Sequence, residues 1–304
     1  MPEYSPLVVV GTVAIDAIET PYGKRDQVFG GSASYFSYVA SFFTRVALVA
    51  VVGEDFPQEY RKVLEERPID LSHLHTLQGK TFAWKGKYSG DMNMAHTLAT
   101  ELNTLLDFTP KLQFENHPEF LFLANIDPKL QLSVLDQVHR DRLSYIACDT
   151  MNFWIQNNLE DLKKVFARID CLILNDGEAR MLTSESNLIK AAAAISKMGP
   201  RHVLIKKGEH GAIFLHEKEI FSLPAYPVEK VHDPTGAGDS FAGGFMGYLA
   251  SSRSTGFEDM KKAVATGTIV ASFTVQDFGL DAIRKITRKD LDARLSHFQK
   301  ICSF

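Results

Sequence analysis

Short, wholly apolar runs recur along this chain, and each is followed by a segment with helical periodicity. The runs at 7–10, 47–52, 120–124, 145–148, 171–174 and 203–205 are apolar on both alternating faces. A strand with only one buried face would alternate apolar and polar residues, so these runs read as strands covered on both sides. Helical patterns lie between them at 34–43, 58–66, 130–139, 159–168 and 189–197. The alternation predicts an α/β fold with a mostly parallel central sheet between two helical layers. Residues 212–223 predict a hairpin closing one sheet edge, and 239–251, 259–273 and 289–301 predict C-terminal helices. Segments 12–28 and 81–96 break the rhythm. They are β-prone and interrupted by polar residues, which predicts strands outside the main sheet. With 304 residues, one large α/β domain carrying such an inserted piece accounts for the whole chain.

The most chemically informative stretch is Asp-Pro-Thr-Gly-Ala-Gly-Asp-Ser-Phe-Ala-Gly-Gly-Phe at 233–245. Gly236, Ala237 and Gly238 leave backbone N–H groups bare just before a helical, small-residue run. Such a turn at a helix N-terminus is an anion site, because several donors converge there with the positive end of the helix dipole. Asp239 puts a carboxylate beside it. That placement suits a base that takes a proton from a hydroxyl while a phosphoryl group moves onto the oxygen.

This segment resembles the second signature of the ribokinase/PfkB family of carbohydrate and nucleoside kinases, and the resemblance runs over nearly the whole chain. It implies a ribokinase-like three-layer α/β/α sandwich with a small β lid, formed here by 12–28 and 81–96. It implies Asp239 as catalytic base, with Gly236, Ala237 and Gly238 as the anion hole. ATP and Mg²⁺ are the expected cofactors, with K⁺ as a monovalent cation at Asp233 and Thr235. A homodimer through the lid is a further implication.

Other residues extend the pattern. Gly11 and Asp16 follow the first strand, where ligands of open α/β sheets bind, and the family places a sugar-binding Asp there. Gly30-Gly31 opens the segment Ser-Ala-Ser-Tyr, similar to the first family signature G-G-x-x-x-N, with Tyr35 standing where Asn is usual. Tyr35 either offers its hydroxyl to substrate or is a core aromatic. Asn175 and Glu178 match the N-x-x-E motif associated with Mg²⁺, held by Glu178 through water; read alone, they are an acidic helix cap. Asp149 and Asn152 occupy the analogous place one strand earlier. Lys206, Lys207, Gly208 and Gly211 match the strand-then-G-x-x-G nucleotide segment, and the loop 275–279, ending at Gly279, would wall the adenine. Phe82, Trp84 and Tyr88 either stack on a base or pack.

The acceptor expected from these matches is a small sugar or sugar-like alcohol, with a nucleoside or inositol as the alternative. A non-catalytic sugar- or nucleotide-binding relative is a different class, disfavoured by the intact Asp239 and open glycine turn. His73 and His75 lack a third ligand, so zinc is not expected. No P-loop and no complete dinucleotide fingerprint occur. A net charge of −4 with scattered Lys and Arg argues against nucleic acid, and no apolar run approaches a membrane span. Three distant cysteines and an N-terminus without a signal pattern point to the cytosol.

Overall fold

The computed structural model describes residues 6–90, 92–93, 95–114 and 117–303. A ten-stranded sheet runs through its centre. In spatial order the strands are Glu219–Leu223, Ala212–His216, His202–Lys206, Cys171–Asn175, Tyr145–Asp149, Phe120–Leu123, Leu7–Val10, Val46–Gly53 and Ile69–Asp70, and Leu74–Leu77 also pairs with Val46–Gly53. All pairs are parallel except the hairpin formed by Ala212–His216 and Glu219–Leu223 with its neighbour.

The strands are apolar throughout because both faces are covered. Leu7 and Val9 pack with helices Ser32–Ala40, Ala237–Ser252 and Phe257–Thr274. Val8 and Val10 face the other layer, which includes helices Pro128–Leu135, Leu159–Phe166 and Leu188–Ser196. This is the three-layer α/β/α arrangement the sequence predicts. Element ends differ in places. The first helix spans Ser32–Ala40 rather than 34–43, because the chain turns at Gly31 and its apolar tail continues as a non-helical turn. Helix Pro128–Leu135 starts earlier than 130, capped by Asp127 with proline in its first turn.

A second, four-stranded sheet has the order Gly23–Gly30, Ala14–Thr20, Ala83–Tyr88, Ala95–Glu101. Its apolar face (Ile18, Val28, Tyr88, Met92) packs with Phe278 of the main body.

One buried polar group on the main sheet makes the fold acid-sensitive. His202 is fully covered, its Nδ1 lies 2.7 Å from the Tyr145 hydroxyl, and its ring stacks on His216 at 4.5 Å. Its Nε2 has no partner among the described residues. Burial, then His216 and Arg201, push its pKa down to about 3. The unfolded chain takes up this proton near pH 6.5, so stability falls as pH drops from 6.5 toward 3. Thermal melts between pH 7 and 4 should show His202→Gln losing less stability than the parent over that range; equal losses would contradict it.

Candidate active site

Asp16 lies on strand Ala14–Thr20 of the second sheet, beside Val28 and directly over Gly30. A side chain at Gly30 would occupy the space of its carboxylate. Oδ1 accepts the Trp84 N–H at 3.2 Å, and the Gly31 N–H also donates to the carboxylate. Asp16 is only 4% exposed, and burial raises its pKa to about 7 despite those donors. Repulsion from Asp239 and Asp233 adds to the rise, which places the three carboxyls in one neighbourhood.

The turn at 233–239 is held from several sides. Asp233 is buried; its Oδ1 accepts from the Thr235 N–H at 2.9 Å and its Oδ2 from the Gly279 N–H at 3.1 Å. Gly236 has φ +74°, and a Cβ there would run into the Tyr35 ring. Both constraints demand glycine. Helix Ala237–Ser252 begins at once, its first bond running from Ser240 N–H to the Gly236 carbonyl at 2.8 Å. The Ala237 N–H is already committed to the Pro234 carbonyl at 3.1 Å. Among the described residues, the N–H groups of Gly236 and Gly238 have no acceptor. Two of the three expected anion donors are therefore open, and the third braces the turn.

Asp239 sits in the first helical turn and is partly exposed. Desolvation, with Asp149 as the next contributor, raises its pKa to about 7, against the opposing pull of Lys206. Lys206 ends the strand His202–Lys206, with Nζ 3.2 Å from Asp149 Oδ2. A Cβ on Gly238 would lie 2.9 Å from that ammonium, so the lysine stands against the turn. Burial opposes its charge, but Asp149, Glu178 and Asp239 outweigh burial and hold its pKa above the usual value.

Asn175 and Glu178 form a reciprocal cap. Asn175 Oδ1 accepts the Glu178 N–H at 2.8 Å, and Glu178 Oε2 accepts the Asn175 N–H at 2.7 Å. Burial, then Asp149, raise Glu178 to about 7, with Lys206 opposing. The cap and the site thus share one carboxylate, with Oε1 outside the cap.

The remaining expected residues divide. Tyr35 is 1% exposed; its ring braces Gly236, and its hydroxyl has no hydrogen-bond partner among the described residues. Burial, with Asp233, Asp16 and Asp239 nearby, raises that phenol's pKa well above its usual value. Gly211 has φ +84° and backs onto the Leu223 carbonyl, a packing need of the hairpin. Gly279 ties its loop to Asp233 and approaches Val28. Gly208 faces Asn93, whose Oδ1 is 2.6 Å from the Cβ position. Asn152 is exposed and bonds the adjacent Phe153 N–H. Trp84 folds over Gly86 and bonds Thr97, whereas Tyr88 reaches Thr235. Sequence reading missed Asn125, which links the Trp154 indole N–H, the Met151 sulfur and the Ser32 hydroxyl. A lone Asn after a strand gives no signal to find it by.

The turn's geometry makes a sharp prediction. Gly236→Ala should reduce kcat by about 10²-fold or more, the scale of losing one anion-hole donor. Tyr35→Phe, which keeps the brace, should stay within about threefold of the parent. Steady-state kinetics on folded variants check both, and a fully active Gly236→Ala would refute the assigned role of the turn.

A fold, an open N–H pair and a neighbouring carboxylate of this kind have the chemistry that phosphoryl transfer asks for on an α/β scaffold. The family described as pfkB family carbohydrate kinase matches residues 5–286, and the chain belongs to that family. Its members named among the relatives are kinases, enzymes that move a phosphoryl group to an alcohol. The chain is 29% identical over 243 residues to a cytidine kinase of Thermococcus kodakarensis, covering 79% of this chain and 87% of that one. Its fold matches the nucleoside kinase of Methanocaldococcus jannaschii, described as an archaeal member of the ribokinase family (TM-score 0.78, 20% identity, 96% and 98% of the two chains). It also matches the nucleoside kinase of Burkholderia thailandensis in complex with ADP-inosine (TM-score 0.78, 18% identity, 96% and 95%). The chain has the ribokinase fold. Among the described residues, no helix is long and apolar enough to cross a membrane.

Proposed function

We propose that this protein is an ATP-dependent kinase that phosphorylates a ribose hydroxyl of a nucleoside. The observation that carries the reading is Asp239 beside the open Gly236 and Gly238 N–H groups, with Lys206 against the same turn. The named nucleoside kinases among its relatives favour a nucleoside over a free sugar.

Asp239 takes the acceptor proton as the acceptor oxygen bonds to the γ-phosphorus. The bond from that phosphorus to the β–γ bridging oxygen breaks, and ADP leaves with the electron pair. The Gly236 and Gly238 N–H groups and Lys206 meet the charge on the transferring phosphoryl oxygens. Asp16, whose carboxylate is already oriented by the Trp84 and Gly31 N–H groups, accepts from an acceptor hydroxyl and fixes the sugar. The residues fit Mg²⁺: Glu178 Oε1 and Asp149 form an acidic pair at the phosphate end, suited to a hydrated cation. Bound there, Mg²⁺ would neutralise phosphate charge. Asp233 divides its oxygens between two backbone donors, and no step depends on K⁺ at Asp233 and Thr235.

The second sheet acts as the lid. It brings Asp16 and Tyr88 to the site, and closure excludes water that would otherwise hydrolyse ATP. Its last strand, Ala95–Glu101, is exposed at every residue and ends the sheet, so a second copy could pair there.

The test is ADP release from Mg-ATP over a panel of nucleosides, sugars and cyclitols. A nucleoside acceptor is expected. A sugar or cyclitol accepted in its place would overturn the nucleoside assignment, and no accepted hydroxyl at all would overturn the kinase reading.

A further inference from the structure

Among the described residues, a side-chain hydrogen bond ties the second sheet to the anion-binding turn. Strand Ala83–Tyr88 ends in Tyr88, whose ring is buried with Ile18, Val28, Met92 and Phe278. The Tyr88 hydroxyl accepts a hydrogen bond from Thr235 Oγ1 at 3.2 Å. Thr235 immediately precedes Gly236, and its N–H is held by Asp233, which also holds the Gly279 N–H. A continuous polar chain therefore runs from the second sheet through Tyr88, Thr235 and Asp233 to the loop at Gly279. Five residues beyond Tyr88, Asn93 lies against Gly208 at the far side of the cleft.

The turn needs such a restraint. Gly236 in the left-handed region has more accessible conformations than any other residue would. The Tyr35 ring blocks movement on one side. On the other side, among the described residues, one direct side-chain hydrogen bond reaches the turn from the second sheet, the Tyr88–Thr235 pair.

We propose that Tyr88 is a positioning residue for phosphoryl transfer, fixing the Thr235–Gly236 turn so that its N–H groups are aligned only while the second sheet is seated. The inference rests on the kinase reading above and adds the route by which the lid acts on the turn. It makes lid closure a condition of transfer as well as a shield against water. With the sheet raised, the Thr235 hydroxyl loses the Tyr88 oxygen, Asp233 alone holds the residue, and the donors at Gly236 and Gly238 lose their alignment.

The experiment is a double-mutant cycle of Tyr88→Phe and Thr235→Val in the full-length protein, with the acceptor that releases ADP fastest in the panel. Tyr88→Phe keeps the ring in its apolar seat, so its melting temperature should stay within a few degrees of the parent. Its kcat should fall about tenfold, the effect of one lost hydrogen bond made in the transition state, with acceptor KM within about threefold. The double variant should be little worse than the poorer single. Three outcomes would overturn the proposal: parental kcat in Tyr88→Phe, multiplicative losses in the double variant, or a rise in acceptor KM alone, which would mark Tyr88 as a substrate contact. Asp239→Asn run alongside separates the two readings. Full turnover there removes the assigned base, whereas an inactive Asp239→Asn beside a parental Tyr88→Phe removes only the coupling.

Discussion

Replacing Asp239 by Asn is expected to lower kcat by about 10²–10⁴-fold, the usual weight of a general base, with the fold intact. The same substitution should raise thermal stability at pH 8. The folded-state pKa of Asp239 is about 7, against 3.8 as its ordinary value. The folded state therefore holds this proton more tightly than the unfolded chain between those values. The contribution to stability is fully present below pH 3.8 and is lost as pH rises through 7. At pH 8 the parent carries an ionised carboxylate stripped of water and repelled by Asp149, and Asn removes both costs. The stability gain should shrink as pH falls from 8 to 5. In the parent, kcat/KM should rise with pH through about 7, because the base must be ionised. Asp16 and Glu178, also raised to about 7, titrate over the same window, so the midpoint belongs to the site as a whole. A variant with parental turnover, or one less stable than the parent at pH 8, would contradict the assignment.

Lys206→Met is expected to have the next largest effect. The ammonium stands among Asp149, Glu178 and Asp239, and against the Gly238 backbone. Removing it leaves the carboxyls facing one another without a counter-charge. Breaking a buried pair in this way destabilises by about 3–5 kcal/mol. The loss should be larger at pH 8 than at pH 5.5, because the carboxyls escape repulsion by taking up protons. The pKa of Asp239 then rises further, so the kcat/KM profile should move to higher pH. At its optimum kcat should be lower by about 10²–10³-fold, since charge on the transferring group loses a preorganised partner. Melting curves at the two pH values and one pH–rate profile check this. An unmoved profile would show that Lys206 does not act on the site.

The parts legible in the sequence are those whose cause is local. Runs such as Leu7–Val10 are buried on both faces, and only a covered parallel sheet accepts that pattern. The turn at 236–239 was readable because bare backbone, helix start and carboxylate are contiguous. Strands Ile69–Asp70 and Leu74–Leu77 were not, since two to four residues carry no periodicity. Asp16 falls in segment 12–28, read as strand outside the main sheet, and it does lie on a strand of the second sheet; what the sequence could not show is that Trp84, 68 residues away, holds it. The pairing of Lys206 with Asp149 spans 57 residues and exists only in the folded chain. For Asn175 and Glu178 the sequence left a cap and a metal-associated role open, and the structure shows the cap directly. For Tyr35 it left a substrate contact and a core residue open. What the sequence could not show is that the missing side chain of Gly236 makes room for the tyrosine ring.

The most direct test of the central claim follows label from γ-³²P-ATP onto a nucleoside, in the parent and in Asp239→Asn side by side. The account predicts a labelled nucleoside monophosphate with the parent and background label with the folded variant. Equal labelled product from both would contradict it, as would label appearing only in inorganic phosphate with every nucleoside tried.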